Sequence, residues 1–505
     1  MKREYLRRSV VAGLAGGALL PFKDWFAREA LAQAATDTAE RPASDQAVAT
    51  RTRYDVNSPE GQRMLAIYGE AISRMTRLGD GDPCSWTFQW YTHYVKGSTS
   101  KAAEIARIYG SGSSPHKALA EATWSTCQAH MGPPQDELAF FPWHRMYVLY
   151  FESIVRRISG RSEFTLPYWN YSASNSRAMP AAFREQNTPF FRPSRNSGPN
   201  SGAQIPAAQV SLAALSETTF GPSGAAPGFG PAIDFGIHGN IHVWVGNGQG
   251  MGSVPWAAYD PIFWMHHCNI DRLWASWNKA GRPNPGGSWL NEEFVFANAD
   301  CVRVVAKNGE VDQIDKLHYT YDRFEPVPGA ARVAAAAAVT PTVRLQSFAV
   351  QNAAAAVSGP IALGAAPVGI QMRAPASATA ANAPSFAARM ASMPPEAKLY
   401  MVLKDAAAAE QPGVVYDVYV ETAGGGRPAP DDPHYLGAIN FFAAAGMAGM
   451  PGGVPRTFSL DVTQQARALA AQGQIPDNLT VFIAPVGSPN EAARPVIGEM
   501  QMVEQ

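Results

Sequence analysis

DPIFWMHHCNIDRLW, residues 260–274, is the stretch on which the reading of this chain turns. Two adjacent histidines, His266 and His267, sit in an apolar, tryptophan-bearing run, with Asp271 four residues beyond His267. The pattern predicts a helix over about Phe263–Lys279. His267 and Asp271 then share a face, where a carboxylate can orient a neighbouring ligand or tie the helix to its partner. His266 is turned about 100° away from His267, so the two rings cannot easily serve one metal.

Working outward, IHGNIH (237–242) places His238 and His242 at i and i+4. On a helix both rings face one side, a common way to offer two imidazoles to one metal. FFPWHR (140–145) carries His144, in a helical run expected over Trp143–Arg157, with Pro142 placed to open it and Glu152 two turns on. His130 and His93 lie upstream. The chain has ten histidines, eight of them between 93 and 267, a concentration that points to a site rather than to scatter. Two sets of three follow: His93, His130 and His144; His238, His242 and His267. All-imidazole ligation without carboxylate or thiolate suits copper, zinc or iron. Zinc normally forms a single site with an activated water. Two facing sets with open positions for O2 and substrate fit a pair of copper ions.

FFPWHRMYVLYFE (140–152) and DPIFWMHHCNIDRLW resemble the two copper-binding signatures of the tyrosinase and polyphenol oxidase family, the type 3 copper proteins. HGNIHVWVG (238–246), LPYWNYS (166–172) and Tyr319-Thr320-Tyr321 match as well. The resemblance is close over about residues 60–325 and looser over 341–505. It implies a mainly α catalytic domain, a four-helix bundle with long loops and one helix pair per copper, followed by a C-terminal antiparallel β-sandwich. It assigns His93, His130 and His144 to copper A and His238, His242 and His267 to copper B, with His266 behind them. The implied activity is oxidation of o-diphenols to o-quinones by O2, with monophenols or o-aminophenols as further substrates. An oxygen carrier of haemocyanin type is the alternative, and a zinc hydrolase comes third.

The chain departs from the family pattern in places. His130 stands fourteen positions before His144, more than is usual, which reads as a loop insertion; His116 is the rival ligand. Cys127 precedes His130 by three residues rather than two, so it is read as a small buried residue rather than as a thioether partner. Cys268 is read as packing. Asp234 stands where the family often carries a water-orienting acid. Gly239 stands where relatives that hydroxylate monophenols often carry Asn, so diphenols are the expected substrates. Val254 stands where many plant relatives have Phe above copper A, which predicts a wider entrance. Asn440–Gly453 (NFFAAAGMAGMPGG) can either plug the site or form an ordinary loop.

Hydrophobic residues make up 46% of the 505 and charged residues 16%, so most of the chain should pack into cores. The net charge of −1 argues against nucleic acid as a partner. Small phenols and O2 are the expected partners; a copper-loading protein and the oligomeric state stay open. Residues 1–32 read as a twin-arginine export signal, with Arg7-Arg8-Ser9, an apolar Val10–Leu20 and Ala30-Leu31-Ala32, which implies a periplasmic or extracellular protein of bacterial type. No later run is long and apolar enough to predict a membrane span. Four cysteines allow one or two bridges. The expected organisation is a catalytic domain at 50–325, a linker at 326–340 and a strand-rich domain at 341–505. Strands are expected at Thr342–Val350, Ala397–Leu403, Val414–Glu421, Tyr435–Phe442, Arg456–Val462, Asn478–Ala484 and Val496–Val503.

Overall fold

The computed structural model describes residues 50–127, 135–329, 346–349, 360–372, 390, 392–422, 424–445, 454–474 and 479–505. The expected export signal at 1–32, His130, most of the expected linker and residues 446–453 of the candidate plug lie outside the described residues.

Helices dominate up to residue 280. They are α1 (Pro59–Met75), α2 (Trp86–His93), α3 (Lys101–Tyr109), α4 (Pro115–Thr123), α5 (Gln135–Ser159), α6 (Gly239–Val245) and α7 (Ile262–Lys279), with α8 (Thr463–Ala471) far downstream. Each early start has a local cause. The Ser58 hydroxyl accepts from the Gly61 N–H at the head of α1, where Pro59 has no N–H and needs no acceptor, and Ser85 does the same for Phe88 at the head of α2. Between 160 and 238 the chain runs mostly in loops with short helical turns, as its Pro and Gly content predicts.

Helix α5 corrects one expectation. Pro142 lies inside the helix rather than at its start. Proline has no N–H to give the carbonyl four residues back. That carbonyl, on Leu138, instead accepts from the Trp289 indole Nε1 at 2.9 Å. A side chain more than a hundred residues away thus lets α5 pass through a proline.

The strands are β1 (Arg51–Arg53), β2 (Glu293–Ala297), β3 (Arg303–Lys307), β4 (Tyr319–Tyr321), β5 (Gln346–Ala349), β6 (Ile361–Ala362), β7 (Val368–Met372), β8 (Leu399–Ala406), β9 (Tyr416–Val420), β10 (Tyr435–Ile439), β11 (Arg456–Asp461), β12 (Leu479–Pro485), β13 (Val496–Ile497) and β14 (Glu499–Glu504). β1 lies parallel to β4, with Arg53 opposite Tyr321, and so closes the helical part. Two four-stranded antiparallel sheets follow, ordered β10-β9-β12-β7 and β11-β8-β14-β5. Inward residues of both, such as Ile370, Val418 and Val481 from one and Met401, Leu403 and Met500 from the other, share one apolar cluster. Strands appear at the expected runs, but the one expected over Val496–Val503 divides into β13, paired with β6, and β14, paired with β5 and β8. β6, β7 and α8 were not foreseen.

A second apolar cluster fills the helical part, and Val415 and Phe442 from the C-terminal strands and loops belong to it. The Cys84–Cys301 disulfide spans 217 residues and ties the entrance of α2 to the turn between β2 and β3.

Candidate metal centre

Four helices carry the histidines inward. His93 ends α2, His144 lies in α5, His242 in α6 and His267 in α7, all buried. His238 is also buried, at the end of a wide π-helical turn, Asp234–His238, that leads into α6. Non-helical torsions at Gly236 kink that turn. Such turns are rare and recur at functional sites.

The ring nitrogens fall into two classes. Nδ1 of His93 lies 3.2 Å from the Val254 carbonyl, and Nδ1 of His144 lies 2.8 Å from that of Phe140. Nδ1 of His238 lies 3.1 Å from the Asp234 carbonyl, and Nδ1 of His242 lies 2.7 Å from that of Met251. A carbonyl can only accept, so in each ring Nδ1 carries the proton and Nε2 keeps its lone pair. Nε2 of His238, His242 and His267 is buried without a hydrogen-bond partner among the described residues. Buried polar atoms are almost always paired. Aligned lone pairs on neutral imidazoles are what a metal ion takes up.

Burial pushes His93 down to about 3. It also holds His144, His242, His266 and His267 well below the ordinary imidazole value, with neighbouring imidazoles adding to the effect. All five are therefore neutral at ordinary pH.

The two sets meet. The rings of His144 and His267 stack with centroids 4.2 Å apart and planes 6° from parallel. Ligand atoms of His238, His242, His266 and His267 all lie within 4.8 Å of one another, as do those of His93, Cys127 and His144. His116 is exposed on α4 and stands outside both groups. His266 comes closer than its helical angle suggested. Its ring stacks on His238 at 5.3 Å, its Nδ1 meets the Tyr171 hydroxyl at 2.9 Å, and its Nε2 has no partner among the described residues.

Cys127 is more than packing. Its Sγ lies 3.5 Å from His144 Nε2, inside the first set. Asp234 approaches the back of a ring, with Oδ1 2.9 Å from His238 Nδ1. The wide turn brings this short side chain onto the ring four residues later. Val254 acts through its carbonyl, which holds His93, while its side chain is buried. Gly239 follows His238 in helical torsions.

Among the described residues, Asp271 makes no hydrogen bond to a histidine ring. It accepts from Arg145, from Arg53 at 3.1 Å, from Tyr319 at 2.6 Å and from Tyr321 at 2.5 Å. Arg53 also reaches Glu152 at 2.9 Å. This buried network joins β1, α5, α7 and β4 beneath the histidines. Cys268 is buried nearby and donates to the Leu166 carbonyl, and burial pushes its thiol up to about 12.

Residues 83–214 and 200–280 match the family described as the common central domain of tyrosinase. Residues 83–280 of the chain are thus identified with the central domain of the tyrosinase family, and the chain is similar to tyrosinases and polyphenol oxidases, the type 3 copper proteins. It is 31% identical over 303 residues to Tyrosinase HcTyr1 of Hahella sp. (strain CCB-MM4), covering 52% of this chain and 61% of that protein. It is 28% identical to aureusidin synthase of Antirrhinum majus, covering 52% of this chain and 50% of that protein. The chain thus spans about half to three-fifths of the length of these relatives. Its fold is similar to that of latent apple tyrosinase, with a TM-score of 0.59 at 20% identity, over 92% of this chain and 99% of that one. It is also similar to deoxygenated hemocyanin from Rapana thomasiana, with a TM-score of 0.53 at 15% identity, over 91% and 99% of the two chains. Residues 351–505 match a domain of unknown function, DUF7868.

The family's cofactor is a pair of copper ions, and the donor set fits it. Imidazole nitrogens dominate, and among the described residues no carboxylate takes part in either group. Among the described residues no helix is long and apolar enough to cross a membrane.

Of the six ligands expected from the sequence, the described residues bring together His93, His144, His238, His242 and His267, and His266 lies among them. Sequence reading missed Phe263, which packs on His267 at 4.3 Å and on His93 at 5.0 Å, although Phe263 lies in the quoted motif. It also missed Tyr171 as the partner of His266.

Proposed function

We propose that this chain oxidises o-diphenols to o-quinones with O2. His93, His130 and His144 hold copper A, and His238, His242 and His267 hold copper B. The observation that carries this reading is the stack of His144 on His267, which sets two groups of buried imidazoles against each other. The copper pair supplies the two-electron chemistry with O2. The protein supplies tautomer and aim: the carbonyls of Val254, Phe140, Asp234 and Met251 hold the protonated nitrogens away from the metals, and the Asp234 carboxylate steadies His238. Each diphenol gives up two electrons and two protons, so two diphenols reduce one O2 to two waters.

Diphenols are favoured over monophenols because Gly239 offers no side chain to help take up a phenolic proton. Val254 leaves the entrance wide for bulky phenols. Helices α2, α5, α6 and α7 form the bundle, and the two four-stranded sheets form a sandwich within a C-terminal domain at 341–505. That domain shields the site. Phe442 lies flat on His242, with centroids 4.0 Å apart and planes 12° from parallel, and 5.6 Å from His238, where an aromatic substrate would dock. Export to an oxidising compartment by the twin-arginine route agrees with the Cys84–Cys301 disulfide.

The test is quinone formation by the copper-loaded chain from catechol and from tyrosol, before and after limited proteolysis near residue 330. Catechol turnover that exceeds tyrosol turnover and rises on cleavage is expected. Faster turnover of tyrosol overturns the substrate preference, and no gain on cleavage overturns the shield. The likeness to hemocyanin favours reversible oxygen binding as the second reading. Oxygenation without any catechol turnover would select it.

A further inference from the structure

Gly239 follows His238 directly, yet its backbone does not call for glycine. Its φ of −62° and ψ of −36° are ordinary helical values that any residue adopts. Glycine there weakens the helix relative to alanine. What glycine supplies is room. A Cβ on residue 239 would lie 2.5 Å from Oδ1 and 2.8 Å from Nδ2 of Asn440.

Asn440 is 1% exposed, and its amide is fully engaged. Nδ2 donates to the Phe235 carbonyl at 2.7 Å and to Asn240 Oδ1 at 2.9 Å. Oδ1 accepts from the Phe442 backbone N–H at 3.1 Å. One end of the amide therefore grips the segment on both sides of His238. The other end fixes the residue whose ring lies on His242. Gln411 adds a second tie, donating to the carbonyls of Gly252 and Phe441 at 2.9 and 3.3 Å.

We propose that Gly239 is a docking notch for Asn440, and that Asn440 is the positioning residue that seats Phe442 over His242. The residue after the first copper B histidine thus decides whether the C-terminal segment can close. This rests on the reading that Phe442 covers the site. It also gives Gly239 a reason to be glycine that does not depend on the substrate. The amide is short, buried and held at three points, so it cannot swing aside without releasing Phe442.

The test uses the full chain and the variants Gly239→Ala, Asn440→Ala, Phe442→Ala and Gly239→Ala/Phe442→Ala. Alanine is the better helix former, so the first variant should keep α6 folded. Amide hydrogen exchange of residues 439–443 in the copper-free chain reads docking without any activity. Catechol kcat/KM of the copper-loaded chain reads access. Gly239→Ala and Asn440→Ala should each speed exchange at Phe442 and raise kcat/KM by roughly 10-fold, the scale of a lost buried hydrogen bond. In the Phe442→Ala background, Gly239→Ala should add nothing to kcat/KM. If Phe442→Ala raises kcat/KM while Gly239→Ala and Asn440→Ala match the parent chain in both readouts, the notch is overturned and the cover stands. If Gly239→Ala shifts kcat/KM equally with and without Phe442, residue 239 acts on the site directly and the proposal fails. If Phe442→Ala changes nothing, the cover reading itself falls, and the notch with it.

Discussion

At His266–His267, helix α7 presents ring nitrogens that have no partner among the described residues; one turn further on, at Asp271, both carboxylate oxygens are taken. Both regions are buried and polar, and they share one helix. Burying an unpaired polar atom is costly, so a fold retains a cluster of them when a ligand will complete it. A charge with its partners in place is scaffold instead. The Arg53, Arg145, Glu152 and Asp271 network fixes the angle at which α5 and α7 hold His144 and His267 face to face. On the proposed reading, the unpaired turn is the site and the paired turn is its mount.

Removing a ring from the first region should have the largest functional effect. His267→Ala is expected to lower bound copper from two ions per chain to one, by metal analysis, and catechol turnover by about 10^3-fold or more. The copper-free chain should lose less stability than any variant of the paired turn. A His267→Ala chain that is less stable without copper than Asp271→Ala would erase the distinction.

Asp271→Ala attacks the mount. It strands two buried guanidiniums, and a loss of about 3–5 kcal/mol in denaturant unfolding of the copper-free chain is expected. pH sharpens the same point. Burial pushes the Asp271 and Glu152 carboxyls up, but the guanidiniums of Arg145 and Arg53 outweigh it for Asp271, and those of Arg53 and Arg156 for Glu152, and hold both below the usual range. Depressed carboxyls contribute stability that is complete above their unfolded values, near pH 4, and is lost as pH falls through the folded ones. Acid unfolding below about pH 4 should be steep in the parent chain and shallower in Asp271→Ala. Equal slopes would remove Asp271 from the account.

Asp234 sits between the two kinds of region, a charge placed on a ligand ring. Asp234→Ala should weaken copper at the second set by roughly 10- to 100-fold in chelator competition, with the first set unaffected. Equal weakening of both sets would make Asp234 a general structural residue. The smallest effect belongs to Trp289→Phe, which removes the donor from the Leu138 carbonyl. A loss of about 1–3 kcal/mol with copper content unchanged is expected, read from the thermal midpoint.

Much of this site is legible in the sequence because its signals are local. The i, i+4 spacing of His238 and His242, the apolar period around His144 and the run ahead of Asp271 each predict a helix and a face. The runs Val414–Glu421 and Asn478–Ala484 predict strands for the same reason, and β9 and β12 lie there. Pro142 misleads because proline is a local signal for a helix start, and a distant indole overrides it. Asp234 is found by position, but its contact with His238 depends on a wide turn that no residue type announces. Cys127 is found and assigned to packing, because nothing nearby in sequence tells that its sulfur reaches His144.

The sequence by itself determined the metal chemistry, the helices that carry it and the shift to strands after residue 340. The helices and strands follow from composition and periodicity within about twenty residues, and the metal chemistry from histidine motifs, spread over residues 93–267, that resemble those of a known family. Only the tertiary structure decided which groups meet across long stretches of chain. It seats Asn440 against Gly239, lays Phe442 on His242 and links Cys84 to Cys301. The physical reason is that such contacts are chosen by the packing of whole elements, and shape complementarity between distant segments leaves no pattern in either segment alone.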